Sequence, residues 1–219
     1  MLRAKKSLGQ HFLKDENIAK KIVEEFLKKA NAAAILEIGP GMGMLTKYLL
    51  KQEGKTFYAV DTDSRMINFV KEKFSFPEGN IFHDDFLKFD LAALKEESIA
   101  VIGNFPYNIS TQILFKILEN KNRIPMMVGM FQKEVAQRIA SGEGNKNYGI
   151  LSVLLQAFYK VEYLFEVGEK CFAPPPKVKS AVIRIVRLES PEKVEDEKFF
   201  FALVKSGFNQ RRKTLRNSL

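Results

Sequence analysis

The stretch "AAAILEIGPGMGMLTKYLL" (32–50) decides the fold. A short apolar run ends at Ile38, glycines follow at 39, 41 and 43, and a helical pattern starts at about Met44. A buried strand that passes through a glycine turn into a helix is the opening unit of a doubly wound sheet. The unit then repeats. "KTFYAV" (55–60) reads as a strand and "SRMINFVKEKF" (64–74) as its helix, while "NIFHD" (80–84) is a third strand. A fourth, "IAVIGN" (99–104), precedes the helix "STQILFKILEN" (110–120). "PMMVGMF" (125–131) is a fifth, followed by the helices "QKEVAQRIA" (132–140) and "ILSVLLQAF" (150–158) around a Gly- and Asn-rich loop. The last two strands, "YKVEYLFEV" (159–167) and "VKSAVIRIV" (178–186), have no helix between them, which predicts an antiparallel hairpin at one edge. Strands this apolar are covered on both faces, so the expectation is an α/β, Rossmann-like, mostly parallel seven-stranded sheet.

Upstream, Ile18, Ile22, Val23, Phe26 and Leu27 fall at helical spacing and predict an amphipathic helix over 15–30. Downstream of Leu188 the composition shifts to "ESPEKVEDEKFF", then to a further helix, "FFFALVKSGF" (199–208). The expected division is a main domain over 1–190 and the beginning of a helical C-terminal domain over 191–219. The charge of +9 makes a polyanionic partner plausible, since phosphate contacts release condensed counterions. A single cysteine, Cys171, excludes an internal disulfide and fits a reducing compartment. Two distant histidines and one cysteine offer no metal-ligand cluster, so no metal is expected. The first ten residues lack the apolar stretch of a secretory leader. No apolar run approaches the roughly 18 residues of a membrane helix. A cytoplasmic protein without membrane contact is therefore expected, and, with no coiled-coil or long apolar surface pattern in the sequence, a monomer.

In the glycine turn "EIGPGMG" (37–43), three glycines let the backbone approach a ligand with no Cβ in the way. The spacing is G-x-G-x-G, not the dinucleotide fingerprint. Asp61, at the end of the second strand, is placed to accept from both hydroxyls of a ribose. Asp85, at the end of the third, is placed to accept from the exocyclic amine of an adenine. Each acid has a plainer reading as a helix cap: Asp63 or Ser64 can cap the helix after Asp61, and Asp84 can exchange roles with Asp85. Two acids and a glycine turn at successive strand ends suggest an adenosine without pyrophosphate, hence S-adenosylmethionine.

At the same edge the fourth strand ends in "GNFPYNIS" (103–110). The lone pair of an adenine amino group is delocalised into its ring, so the group is a poor nucleophile. A site helps by accepting both N–H bonds, which draws the nitrogen towards pyramidal geometry. The side-chain oxygen of Asn104 and the main-chain carbonyl of Phe105 are two such acceptors, with Pro106 fixing the turn. Tyr107 then stacks on the target base. The second stacking face is assigned to Phe172 in "CFAPPPKV", with a cap on the hairpin core as its alternative.

Together these motifs resemble the ribosomal RNA adenine N6-dimethyltransferases that modify the small-subunit RNA. "KKSLGQHFL" (5–13), "EIGPGMGMLT", "GNFPYNIS", "FQKEVAQRI", "FAPPPKVKSAVIR" and "FNQRRKTLRNSL" occur in the family's order. The resemblance implies a class I methyltransferase fold with Gln10, His11 and Leu13 lining the donor site, joined by Gly39, Gly41, Asp61, Asp85 and Asn104. It also implies dimethylation of two adjacent adenosines near the 3′ end of small-subunit RNA, within an immature subunit.

Asp61 stands where Glu is frequent in the family, and Phe105 where Leu is usual. The family usually continues into a small helical domain, so the resemblance implies a truncated chain. The arms fit an RNA partner, with eight Lys/Arg against four Asp/Glu over 1–29 and "RRKTLR" near the end. Three rivals stand beside this reading: a large-subunit RNA adenine methyltransferase of the antibiotic-resistance type, a DNA adenine methyltransferase, and a non-catalytic assembly factor.

Overall fold

Every residue of the strand Ala34–Ile38 is buried, and the sheet grows outward from it in both directions. The computed structural model describes residues 4–5, 8–189 and 194–209. Lys6, the expected domain boundary at 190 and the basic run 211–216 lie outside them. The large sheet contains β2 (Ala34–Ile38), β3 (Thr56–Asp61), β4 (Ile81–His83), β5 (Ile99–Asn104), β6 (Met126–Gln132), β7 (Tyr159–Val167) and β9 (Ser180–Arg187). Their order is β4-β3-β2-β5-β6-β9-β7. Pairings from β4 through β6 are parallel, while β9 runs antiparallel to both of its neighbours. The expected hairpin is present, with its second strand inserted beside β6, so that β7 forms the edge. After β4 the chain returns to the other side of β2, and the strand ends part at this reversal to open a crevice.

Side chains alternate across the sheet, as a period of two requires. Along β5, Ile99 and Val101 enter one apolar cluster, while Ala100 and Ile102 enter the other. The expected N-terminal helix is α1 (Glu16–Leu27), capped by Asp15 and burying Ala19, Ile22, Val23 and Phe26 on the second cluster. The helix expected from Met44 shrinks to α2 (Thr46–Leu49), because Gly41 and Gly43 hold left-handed conformations ahead of it. The remaining helices are α3 (Ser64–Phe74), α4 (Ser110–Glu119), α5 (Lys133–Ile139), α6 (Ile150–Gln156) and α7 (Glu197–Asn209). α7 adds Val204 to the first cluster, and its Phe200 meets Phe158 edge-on at 6.5 Å. Two short strands, β1 (Phe12–Leu13) and β8 (Phe172–Ala173), pair separately and bring the N-terminal segment to the strand ends. Among the described residues no helix is long and apolar enough to cross a membrane, and no cluster of metal ligands forms.

Candidate active site

A cavity of about 250 Å³ opens at the carboxyl ends of β2, β3 and β5. Gln10, His11, Leu13, Gly39, Gly41, Asp61, Asp85, Asn104, Phe105 and Tyr107 all line it, although they come from five separate parts of the chain. Phe172 does not.

The glycine turn follows β2 with Gly39 at φ +69° and Gly41 at φ +52°. A Cβ on Gly39 would meet nothing within 4 Å, so this turn leaves open space where a ligand needs it. Gly43 has a different task. A Cβ there would stand 2.2 Å from the Phe74 ring, so this glycine admits a packed aromatic and not, as its spacing suggests, a ligand.

Asp61 faces the cavity, with Oδ1 accepting from the Asp63 amide at 2.8 Å. Burial pushes its carboxyl up to about 6. Asp63 is the cap: it accepts from the Arg65 amide and from two nitrogens of the Arg65 side chain, at 2.9 and 2.6 Å. That guanidinium holds the Asp63 carboxyl well below the usual range. Asp85 lies two residues past β4 and accepts from the Leu87 amide, while Asp84 turns back to accept from the amide of Asp85. Lys116 of α4 fastens this loop by donating to the carbonyls of Leu87 and Phe89, at 3.1 and 2.5 Å.

Glu37 is a cavity residue the sequence reading missed. It is 1% exposed and accepts from the Thr46 hydroxyl at 2.6 Å, and burial raises its carboxyl to about 8. Its signal was present, an acid inside an otherwise apolar strand.

The N-terminal segment closes one side. The Gln10 amide is spent inside the protein, accepting from the Lys5 N–H at 2.8 Å and donating to Asp63 at 3.2 Å. His11 Nδ1 lies 2.8 Å from the Pro174 carbonyl. A carbonyl only accepts, so Nδ1 carries a proton. The same logic orients Asn104, whose Nδ2 donates to the His11 carbonyl at 2.9 Å and whose Oδ1 is left as an acceptor.

The Tyr107 ring stacks on His11, with centroids 5.6 Å apart and planes 26° apart. Its hydroxyl lies 2.5 Å from that of Ser180, a residue with no exposure at the start of β9. Phe105 turns its ring into the core, edge-on to Phe131 at 5.3 Å. Phe172 is 1% exposed and belongs to the second apolar cluster, because β8 pairs it with Leu13 across the two-stranded ladder. It therefore forms no second face opposite Tyr107; His11 is the ring found there.

A family model described as ribosomal RNA adenine dimethylase matches residues 1–219. The chain is 56% identical over 218 residues to the ribosomal RNA small subunit methyltransferase A of Cytophaga hutchinsonii, covering all of this chain and 84% of that one. Identity is 53% over 219 residues to the protein of the same name from Parabacteroides distasonis, covering all of this chain and 82% of that one. Among solved structures, a dimethyladenosine transferase from Plasmodium falciparum superposes with a TM-score of 0.83 at 32% identity, over 95% of this chain and 74% of that one. The 23S rRNA methyltransferase ErmE superposes at 0.77 with 26% identity, over 94% of this chain and 82% of that one.

Proposed function

The chain belongs to the ribosomal RNA adenine dimethylase family, and on that premise we propose how its cavity methylates adenosine and on which RNA. The substrate is ribosomal RNA. S-adenosylmethionine supplies an electrophilic methyl group on a sulfonium centre. Gly39 would hold it along open backbone and Gly41 would continue the turn beside it, with Asp61 accepting from ribose hydroxyls and Asp85 from the adenine amine of the donor. The open space at Gly39 supports that fit.

The observation that carries the mechanism is the orientation of Asn104. Its amide nitrogen is committed to the His11 carbonyl, so Oδ1 is the atom left to accept from a target amino group. The main-chain carbonyl of Phe105, one residue on, is the second acceptor. Together they localise the nitrogen lone pair and aim it. The methylated nitrogen then sheds a proton readily, so these two acceptors need no strong base beside them. Rate acceleration comes from orientation and hydrogen bonding. His11 covers one face of Tyr107, which leaves the other for the target base.

The target is the pair of adjacent adenosines near the 3′ end of small-subunit (16S) ribosomal RNA, each dimethylated at N6. Relatives at 53–56% identity that carry the small-subunit name support this over a large-subunit target. The same reading has a monomer acting in the cytoplasm on a partly assembled subunit, with residues from 191 on beginning a helical C-terminal domain. The test is transfer of labelled methyl to small-subunit particles from cells that lack the modification, beside naked RNA. Dimethyladenosine in the particles is expected. Label found only in large-subunit RNA or duplex DNA overturns the reading.

A further inference from the structure

Gly103 of β5 and Gly129 of β6 are register partners, and the ring of Phe105 lies over both. A Cβ on Gly129 would stand 2.3 Å from Cε2 of that ring, and one on Gly103 would stand 2.5 Å from Cε1. Non-bonded carbon atoms do not approach so closely, so the two glycines form a slot that only a bare backbone leaves open. Phe131 closes the slot at its edge, and the ring is 1% exposed. A phenylalanine just past the end of β5 is thereby folded back onto its own sheet and seated from three sides.

The seat bears on the chemistry because Phe105 is the one aromatic of "NFPY" whose backbone, not its ring, serves the cavity. We propose that Gly129 is a positioning residue for methyl transfer: the space above it seats the Phe105 ring, and so sets the Phe105 carbonyl that accepts from the target amino group. This rests on the role given to that carbonyl above. Gly129 does not border the cavity, so its influence has to pass through Phe105. Gly103 shares the slot but has the Ile38 carbonyl 2.6 Å from its would-be Cβ, so a side chain there strikes backbone. At Gly129 the nearest atoms all belong to side chains, of Phe105 and Met127, which makes it the cleaner probe.

The experiment compares Gly129→Ala, Phe105→Leu and the double variant. Single-turnover methyl transfer to small-subunit particles is followed at saturating donor, with donor affinity and thermal unfolding measured alongside. Gly129→Ala should slow transfer about 10- to 100-fold, the scale expected of a reacting group displaced by about an ångström. Donor affinity should hold. Leucine lacks the ring atom that stands nearest the new methyl, so the double variant should return to the rate of Phe105→Leu alone. Two results overturn the proposal: Gly129→Ala lowers the melting temperature yet transfers at the wild-type rate while folded, or the double variant stays as slow as Gly129→Ala. If the wild type transfers no methyl, the function itself fails; if Asn104→Ala transfers normally, the amino-group mechanism fails. Each of these is distinct from a failed suppression.

Discussion

The two halves of the cavity are built on opposite plans. On the donor half, beyond β2, β3 and β4, the polar groups keep spare capacity. Asp61 and Asp85 each have an oxygen committed to a nearby backbone amide, and Gly39 borders open space. On the acceptor half, beyond β5, β6 and β9, each key residue is held from behind. Asn104 is held by the His11 carbonyl, Phe105 by two glycines and Tyr107 by Ser180. A half that binds needs unfilled hydrogen-bonding capacity; a half that orients a weak nucleophile needs groups that do not move. Substitutions should therefore split, with affinity lost on one side and turnover on the other.

The largest effect is expected at Asn104. Asn104→Ala removes one of the two proposed acceptors and should cut kcat about 10²- to 10³-fold, as loss of a preorganised hydrogen-bonding group does elsewhere. Donor binding, measured by calorimetry, should fall much less. Equal losses in both would break the division between the halves.

Glu37 sharpens the donor side through pH. Its carboxyl is raised by burial to about 8, so the folded protein keeps a proton there that the unfolded chain releases near 4.5. Stability from this group is fully present below the unfolded value and is lost as pH rises through about 8, with a slope of up to about 1.4 kcal/mol per pH unit. Glu37→Gln keeps an acceptor for Thr46 and cannot ionise. Urea unfolding between pH 5 and 8 should show a flatter profile for the variant; identical profiles would mean Glu37 ionises freely in the fold.

Asp61→Ala comes next. Loss of the charged acceptor proposed for the ribose hydroxyls should weaken donor binding by about 1.5–3 kcal/mol, while kcat at saturating donor holds. A kcat loss as large as that of Asn104→Ala would mean that the donor half also orients.

How much of this was legible in the sequence follows the same division. The strands and the glycine turn are local patterns, and Asp61, Asp85 and Asn104 stand at or just beyond strand ends, so reading the strands located the acids and the amide. What escaped was set by partners distant in sequence. Gly43 looked like part of a ligand loop because its neighbour, Phe74, lies at the far end of α3, beyond α2 and β3. Phe172 looked like a stacking ring because its pairing with Leu13 spans most of the chain. Ser180 carried no signal, since only the folded sheet brings its hydroxyl to Tyr107.

The smallest effect tests that last contact. Tyr107→Phe keeps the ring and its stacking against His11 but removes the hydroxyl 2.5 Å from Ser180. A ring without this anchor is free to rock about its Cα, so the base it supports is held less well. One neutral hydrogen bond is worth about 0.5–1.5 kcal/mol, so kcat should fall about two- to tenfold with donor affinity unchanged. Ser180→Ala removes the same bond from the other side and should lower kcat by a similar factor. Because both variants delete a single interaction, the double variant should be no slower than the slower single one. If the two losses multiply instead, Tyr107 and Ser180 act separately, and the hydroxyl pair is not what fixes the ring.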